Sequence, residues 1–73
     1  MKLPALNARQ VIRILNKKGF VQVRQSGSHA IFKHANSRRT TVPVHSSKDL
    51  GKGLLRQIMK DASISPEDIM KYK

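Results

Sequence analysis

Residues 20–34 read F-V-Q-V-R-Q-S-G-S-H-A-I-F-K-H. Two runs rich in β-branched and aromatic residues, 20–25 and 28–34, flank Ser26-Gly27, a dipeptide that reads as a tight turn. The pattern predicts a β-hairpin. Along its first strand Val21 and Val23 fall on one side, and Phe20, Gln22 and Arg24 on the other. In the second strand Ile31 and Phe32 point opposite ways, so either face could be the buried one. A third run, R-T-T-V-P-V-H at 39–45, follows the turn signal A-N-S at 35–37 and alternates through Thr40, Val42 and Val44. Pro43 cannot donate a ladder hydrogen bond, which puts this strand at a sheet edge. Short connections make the three strands an antiparallel meander.

On either side of the meander the apolar period changes to that of a helix. Upstream, N-A-R-Q-V-I-R-I-L-N-K-K-G carries Val11, Ile12, Ile14 and Leu15 as one stripe. Asn7 is placed as N-cap, with Gln10 to close a capping box and Leu6 and Val11 to form a hydrophobic staple. Lys17 and Lys18 suit the negative end of the helix dipole, and Gly19 suits a left-handed stop. Downstream, Leu55, Ile58, Met59 and Ala62 define a second helix, with Gly51 and Gly53 expected in a loop before it. S-P-E-D-I-M then opens a short last helix: Ser65 caps, Pro66 takes the first position, and Glu67 and Asp68 favour its positive end. The predicted fold class is α+β, ordered α-β-β-β-α with a short C-terminal helix, its helices on one face of a three-stranded antiparallel sheet. Residues 1–73 are expected to form a single domain.

Composition narrows the partners. The chain has 15 Lys and Arg against 4 Asp and Glu, a formal net charge of +11. Such a field attracts polyanions and repels other copies of the chain. Nucleic acid is the first candidate, an acidic protein the second, an anionic membrane surface a distant third. No apolar run approaches the roughly 20 residues of a spanning helix, and the opening M-K-L-P-A-L-N lacks the apolar core of a signal peptide. A cytoplasmic protein without membrane association is therefore expected. With no cysteine, neither disulfides nor thiolate-bound zinc can staple a core this small.

The acids Asp49, Asp61, Glu67 and Asp68 all lie outside the strands, a poor arrangement for a two-metal nuclease. His29, His34 and His45 show no helical H-x-x-x-H spacing, so no metal site and no cofactor are expected. RNA, however, supplies its own nucleophile. Its 2′-hydroxyl attacks the adjacent phosphorus once a base takes its proton and cations stabilise the charge, and histidine is the side chain poised for that at neutral pH. Spacing alone favours reading His29 as an ordinary strand residue over a catalytic one. His34, beside the loop, reads as solvated or phosphate-touching, and His45 as a bonding partner for its loop. Arg24, Lys33, Arg38, Arg39, Lys48, Lys52 and Arg56 could line a groove for an RNA backbone. With three aromatics in the chain, a base-stacking platform is weakly supported and recognition of backbone shape is the better expectation.

Three segments in combination, G-F-V-Q-V-R-Q-S-G-S-H-A-I-F-K-H, T-V-P-V-H-S-S-K-D-L-G-K-G and L-L-R-Q-I-M-K-D-A-S-I-S, closely resemble the HicA family of toxin–antitoxin ribonucleases. The resemblance runs from the first helix through Ser65. It implies a fold similar to the double-stranded RNA-binding domain and the activity of an mRNA interferase, which cleaves RNA, arrests translation and is neutralised by a HicB-type antitoxin. It also implies that His29, in the G-S-H motif, is the catalytic histidine, with Gly27 and Ser28 forming the adjoining turn. The basic toxin surface leads us to expect acidic side chains on the antitoxin. The chain departs from the family pattern at Leu54, where a small or polar residue is expected, and at Ser63, where glycine is common. A non-catalytic RNA-binding module is the alternative reading.

Overall fold

A computed structural model describes residues 3–44 and 48–72. The elements are α1 (Ala8–Lys17), β1 (Val21–Ser26), β2 (His29–Lys33), β3 (Arg39–Pro43), α2 (Lys52–Ala62) and α3 (Pro66–Tyr72). The strands form one antiparallel sheet ordered β1-β2-β3. This is the expected α+β layout, similar to the double-stranded RNA-binding domain, and Pro43 lies on an edge strand as its missing N–H requires.

Burial settles which side of β2 faces the core. Ala30 and Phe32, with Thr40 and Val42 of β3, are buried against the helices. His29, Ile31 and Lys33 point the other way, as do their cross-strand partners Pro43, Thr41 and Arg39. Leu6, Val11, Ile14 and Leu15 from the first helix region, Leu55 and Ile58 from α2, and Ile64 and Ile69 complete the core. Full burial of each large apolar side chain contributes roughly 1.5–3 kcal/mol. Thr40, the buried polar residue among them, donates its hydroxyl to Asp61 Oδ2 (3.2 Å), and Gln57 donates to Asp61 Oδ1 (2.8 Å), so α2 is pinned to β3 by a satisfied polar contact.

β1 departs from the simple alternation. Gln22 pairs with Phe32 and Arg24 with Ile31, which leaves Val23 as the extra residue of a bulge. Val21 and Val23 are both exposed, and the apolar residue this segment gives to the core is Phe20, just before the strand. The hairpin loop is Gly27-Ser28, one position later than Ser26-Gly27, because Ser26 pairs with His29. β1 and β2 shift accordingly from 20–25 and 28–34, and β3 stops at Pro43.

Helix ends follow their local signals. Asn7 Oδ1 accepts from Gln10 N and Gln10 Oε1 from Asn7 N, both at 2.9 Å, closing the capping box of α1. At its other end Gly19 N–H donates to Asn16 O (3.2 Å) and Phe20 N–H to Leu15 O (2.9 Å), a Schellman closure with Phe20 packed near Leu15. α2 ends by the same pair of bonds, Ser63 to Lys60 and Ile64 to Met59. It starts earlier than expected: Gly51 is its N-cap and Gly53 lies in its first turn, not in a loop. Backbone geometry alone places Gly53 there, since glycine is permissive in either conformation.

The helices share a direction. Both α1 and α2 end against the β2–β3 loop, where Lys18, His34, Arg38, Ala62 and Ser63 line one cleft. Both begin side by side, since Leu50 N–H donates to Leu6 O (2.7 Å) and Asn7 bridges Asp49. Helices of 10 and 11 residues separate those ends by about 15 Å. The molecule therefore has a hairpin end, with the Gly27-Ser28 turn and two helix starts, and a loop end with two helix stops.

Candidate functional site

At the hairpin end the backbone fixes the turn tightly. Gly27 has φ +60° while Ser28 does not have a positive φ, the pattern of a type II′ loop whose first position demands glycine. A Cβ at Gly27 would meet nothing within 4 Å, so the glycine is there for conformation and not for room. Gln25 Nε2 donates to Gly27 O (3.1 Å), and Ser28 O accepts the N–H of Val44 (2.7 Å), which ties the turn to the segment after β3. His29 is the first residue of β2, locked between Ser26 and Pro43. Its imidazole is exposed on the open face of the sheet and makes no hydrogen bond among the described residues. A neutral imidazole so held has one nitrogen to accept a proton and one to donate.

The cations expected to line one groove divide between the two ends. Lys48 and Lys52 lie in the segment before α2 and at its first residue, with Arg56 one turn on, all exposed on the side where α1 and α2 begin. Arg24, opposite Ile31, occupies the middle of the open face. Lys33 pairs with Arg39 at the far end of the sheet, and Arg38 lies in the loop beyond it. Four residues of strand put Lys33 about 13 Å from His29. Arg39, opposite Lys33, therefore starts from the far end of the sheet, and Arg38 from the loop beyond it, towards phosphates further along than the one at His29.

His34, expected to be solvated or phosphate-touching, is half-buried and has partners within the fold. Its ring packs on Phe20 with centroids 5.1 Å apart, its Nδ1 accepts the N–H of Asn36 (3.1 Å), and its Nε2 faces Gly19. It joins the end of α1 to the β2–β3 loop, and the signal for it is tertiary: no local spacing pairs positions 19 and 34. His45 lies outside the described residues. Among the described residues no three His, Cys, Asp or Glu side chains come together as metal ligands.

Charge placement at the helix starts is unusual. α1 has no acid in its first turn and carries Arg9 there; α2 has none either and begins with Lys52. Cations at a helix N-terminus oppose the dipole. α3, which starts at the loop end, follows the rule with Glu67 and Asp68. Ser65 N–H donates to Asp68 Oδ2 and Asp68 N–H to Ser65 Oγ, both at 3.1 Å, and Lys18 Nζ lies 3.3 Å from the carboxylate. The Ser65 backbone bond, assisted by Lys18, holds the Asp68 carboxyl below the usual range.

Residues 8–64 of the 73 match the protein family described as "HicA toxin of bacterial toxin-antitoxin". The chain belongs to the HicA toxin family. No curated protein matches it. Membership makes the chain a toxin of a toxin–antitoxin pair, with an antitoxin as its partner. No described helix is long and apolar enough to cross a membrane. One family departure has a structural consequence: Ser63 holds φ +57° at the end of α2, a left-handed position that suits the glycine common there. Leu54, the other, is exposed on α2.

Proposed function

We propose that this HicA-family toxin is an endoribonuclease that cleaves mRNA and arrests translation, and that a HicB-type antitoxin neutralises it. The observation that carries the reading is the exposed imidazole of His29, without a partner among the described residues, fixed at the tip of a glycine-dependent hairpin on the side where two helices carry cations in their first turns. A neutral His29 takes the proton of an RNA 2′-hydroxyl, or its imidazolium supplies the proton to the departing 5′-oxygen. The 2′-oxygen forms a bond to phosphorus as the P–O5′ bond breaks. One fragment then ends in a 2′,3′-cyclic phosphate and the other in a 5′-hydroxyl. Proton transfer of this kind contributes about 10²–10⁴-fold, and Lys52, Lys48 and Arg24 offset the charge that grows on the phosphorane. Gly27 and Ser28 set the turn that fixes His29 at the tip. Lys33, Arg38 and Arg39 hold RNA phosphates further along.

The open sheet face offers the antitoxin Val21 and Ile31 as an apolar centre, with Arg24, Lys33 and Arg39 around them and His29 at one end. An antitoxin presenting acidic side chains there would shield the imidazole and associate at a rate that falls with added salt.

The test is incubation of a defined mRNA with the purified protein in excess EDTA, with analysis of the product ends. Cutting that persists in chelator and leaves 2′,3′-cyclic phosphates agrees with the proposal. RNA that is bound and never cut would make the protein a non-catalytic RNA-binding module.

A further inference from the structure

α1 carries three more cations, away from the sheet. Arg9, Arg13 and Lys17 stand at i, i+4 and i+8 and are all exposed. At 100° per residue they share the side of the helix opposite the buried stripe of Ala8, Val11, Ile14 and Leu15. They therefore form a ridge on the outside of the helical layer, whereas His29 faces out from the sheet on the other side of the core. None of the three makes an ion pair among the described residues, and α1 contains no acid.

Helix physics gives no reason for this arrangement. Like charges four residues apart repel, and Arg9 adds a cation at the positive end of the dipole. Three alternatives, glutamate, glutamine or a Glu–Lys pair, would each make a better solvated face. An unfavourable local choice repeated along a line points to a ligand whose charge repeats along a line. The flanking residues Gln10 and Asn16 are polar, so the ridge lacks the apolar centre that a protein interface has. That centre lies on the open sheet face, with Val21 and Ile31.

We infer that the α1 ridge is a second RNA-backbone site, on the opposite side of the core from His29, so that one substrate strand engages both surfaces. The inference rests on the ribonuclease reading for the identity of the ligand and not for its chemistry. Successive ridge cations rise about 6 Å along the helix. Crossing even the shortest dimension of the molecule, 18 Å, takes on the order of five nucleotides at about 3.4 Å each. Binding should therefore strengthen with RNA length beyond the few nucleotides at the hairpin tip.

The test measures binding, not cleavage. Affinities for a 20-nucleotide RNA are taken across a salt series in a His29→Ala background, with Arg9→Gln/Arg13→Gln compared against Lys60→Gln/Lys71→Gln, which removes the same charge elsewhere. The ridge variant should lower the slope of log affinity against log salt by about 1.4 and weaken binding by about 10–30-fold at 0.1 M salt. Arg9→Lys/Arg13→Lys should keep the slope, and the Gln variant should melt no lower than its parent. Equal losses in the ridge and control variants, or no change in the ridge variant, would overturn the inference. Measurable RNA binding without cleavage by the wild-type protein would instead count against the catalytic reading alone.

Discussion

The sheet holds one described histidine near each end, and their surroundings are opposite. At the hairpin end His29 is exposed, bonded among the described residues only through its backbone, and on the side where the first turns of α1 and α2 carry Arg9 and Lys52. At the loop end His34 packs on Phe20 and Gly19, accepts from Asn36, and shares a cleft with Lys18, which pairs with Asp68 in the first turn of α3. At the loop end helix charges follow the dipole, although Ser37 and Ser63 hold positive φ there; at the hairpin end the charges oppose it. Opposed charge at the helix starts is a cost that an anionic ligand at the hairpin end would offset, which supports the site proposed there.

The glycines give the sharpest way to break that comparison. Gly19 has φ +93°, and a Cβ there would lie 2.8 Å from His34 Nε2, whereas Gly27 has φ +60° with open space around it. Gly19→Ala should cost about 2–3 kcal/mol, the left-handed penalty together with displaced packing. Gly27→Ala should cost about 1 kcal/mol in stability. Thermal or urea unfolding of the two variants checks this, and equal losses would mean that the hairpin end is as tightly packed as the loop end.

A change of opposite sign tests Ser63. Its left-handed backbone carries a steric penalty that glycine lacks, so Ser63→Gly should raise stability by about 1 kcal/mol at equilibrium in denaturant. The smallest effect is at Asp68, whose carboxyl is held below its ordinary range by the Ser65 backbone and Lys18. A carboxyl lowered on folding adds stability above its unfolded pKa and loses it as the pH falls through the folded one. The stability gap between wild type and Asp68→Asn should therefore persist at neutral pH and close only in acid below about 3.9. A gap that is constant with pH would remove the ionised carboxylate from the account of α3.

These contrasts also show which features a sequence can carry. The Asn7–Gln10 box, the Gly19 stop, the edge position of Pro43 and the Ser65-Pro66 start were legible because each depends on neighbours within a few residues. The G-S-H turn was legible too, apart from the shift of its loop to Gly27-Ser28. The Val23 bulge was not, since alternation through Val21 and Val23 looks the same with or without an extra residue in the ladder. Gly53 carried no signal for the earlier start of α2. His34 looked like a loop residue because its partners, Gly19 and Phe20, come from another element. The division of the cations was hidden for the same reason: Lys33 and Lys52 are equally basic on paper, and only the direction of α2 separates them.

The central claim is that the hairpin-end histidine does chemistry and the loop-end histidine does structure. Its most direct test is single-turnover cleavage of one mRNA by wild type, His29→Ala and His34→Ala, each kept below its melting temperature, with RNA affinity measured alongside. His29→Ala should bind RNA like wild type and cut at least about 10²-fold more slowly. His34→Ala should melt earlier and still cut. Cleavage by His29→Ala at the wild-type rate, or its loss in a folded His34→Ala protein, would contradict it.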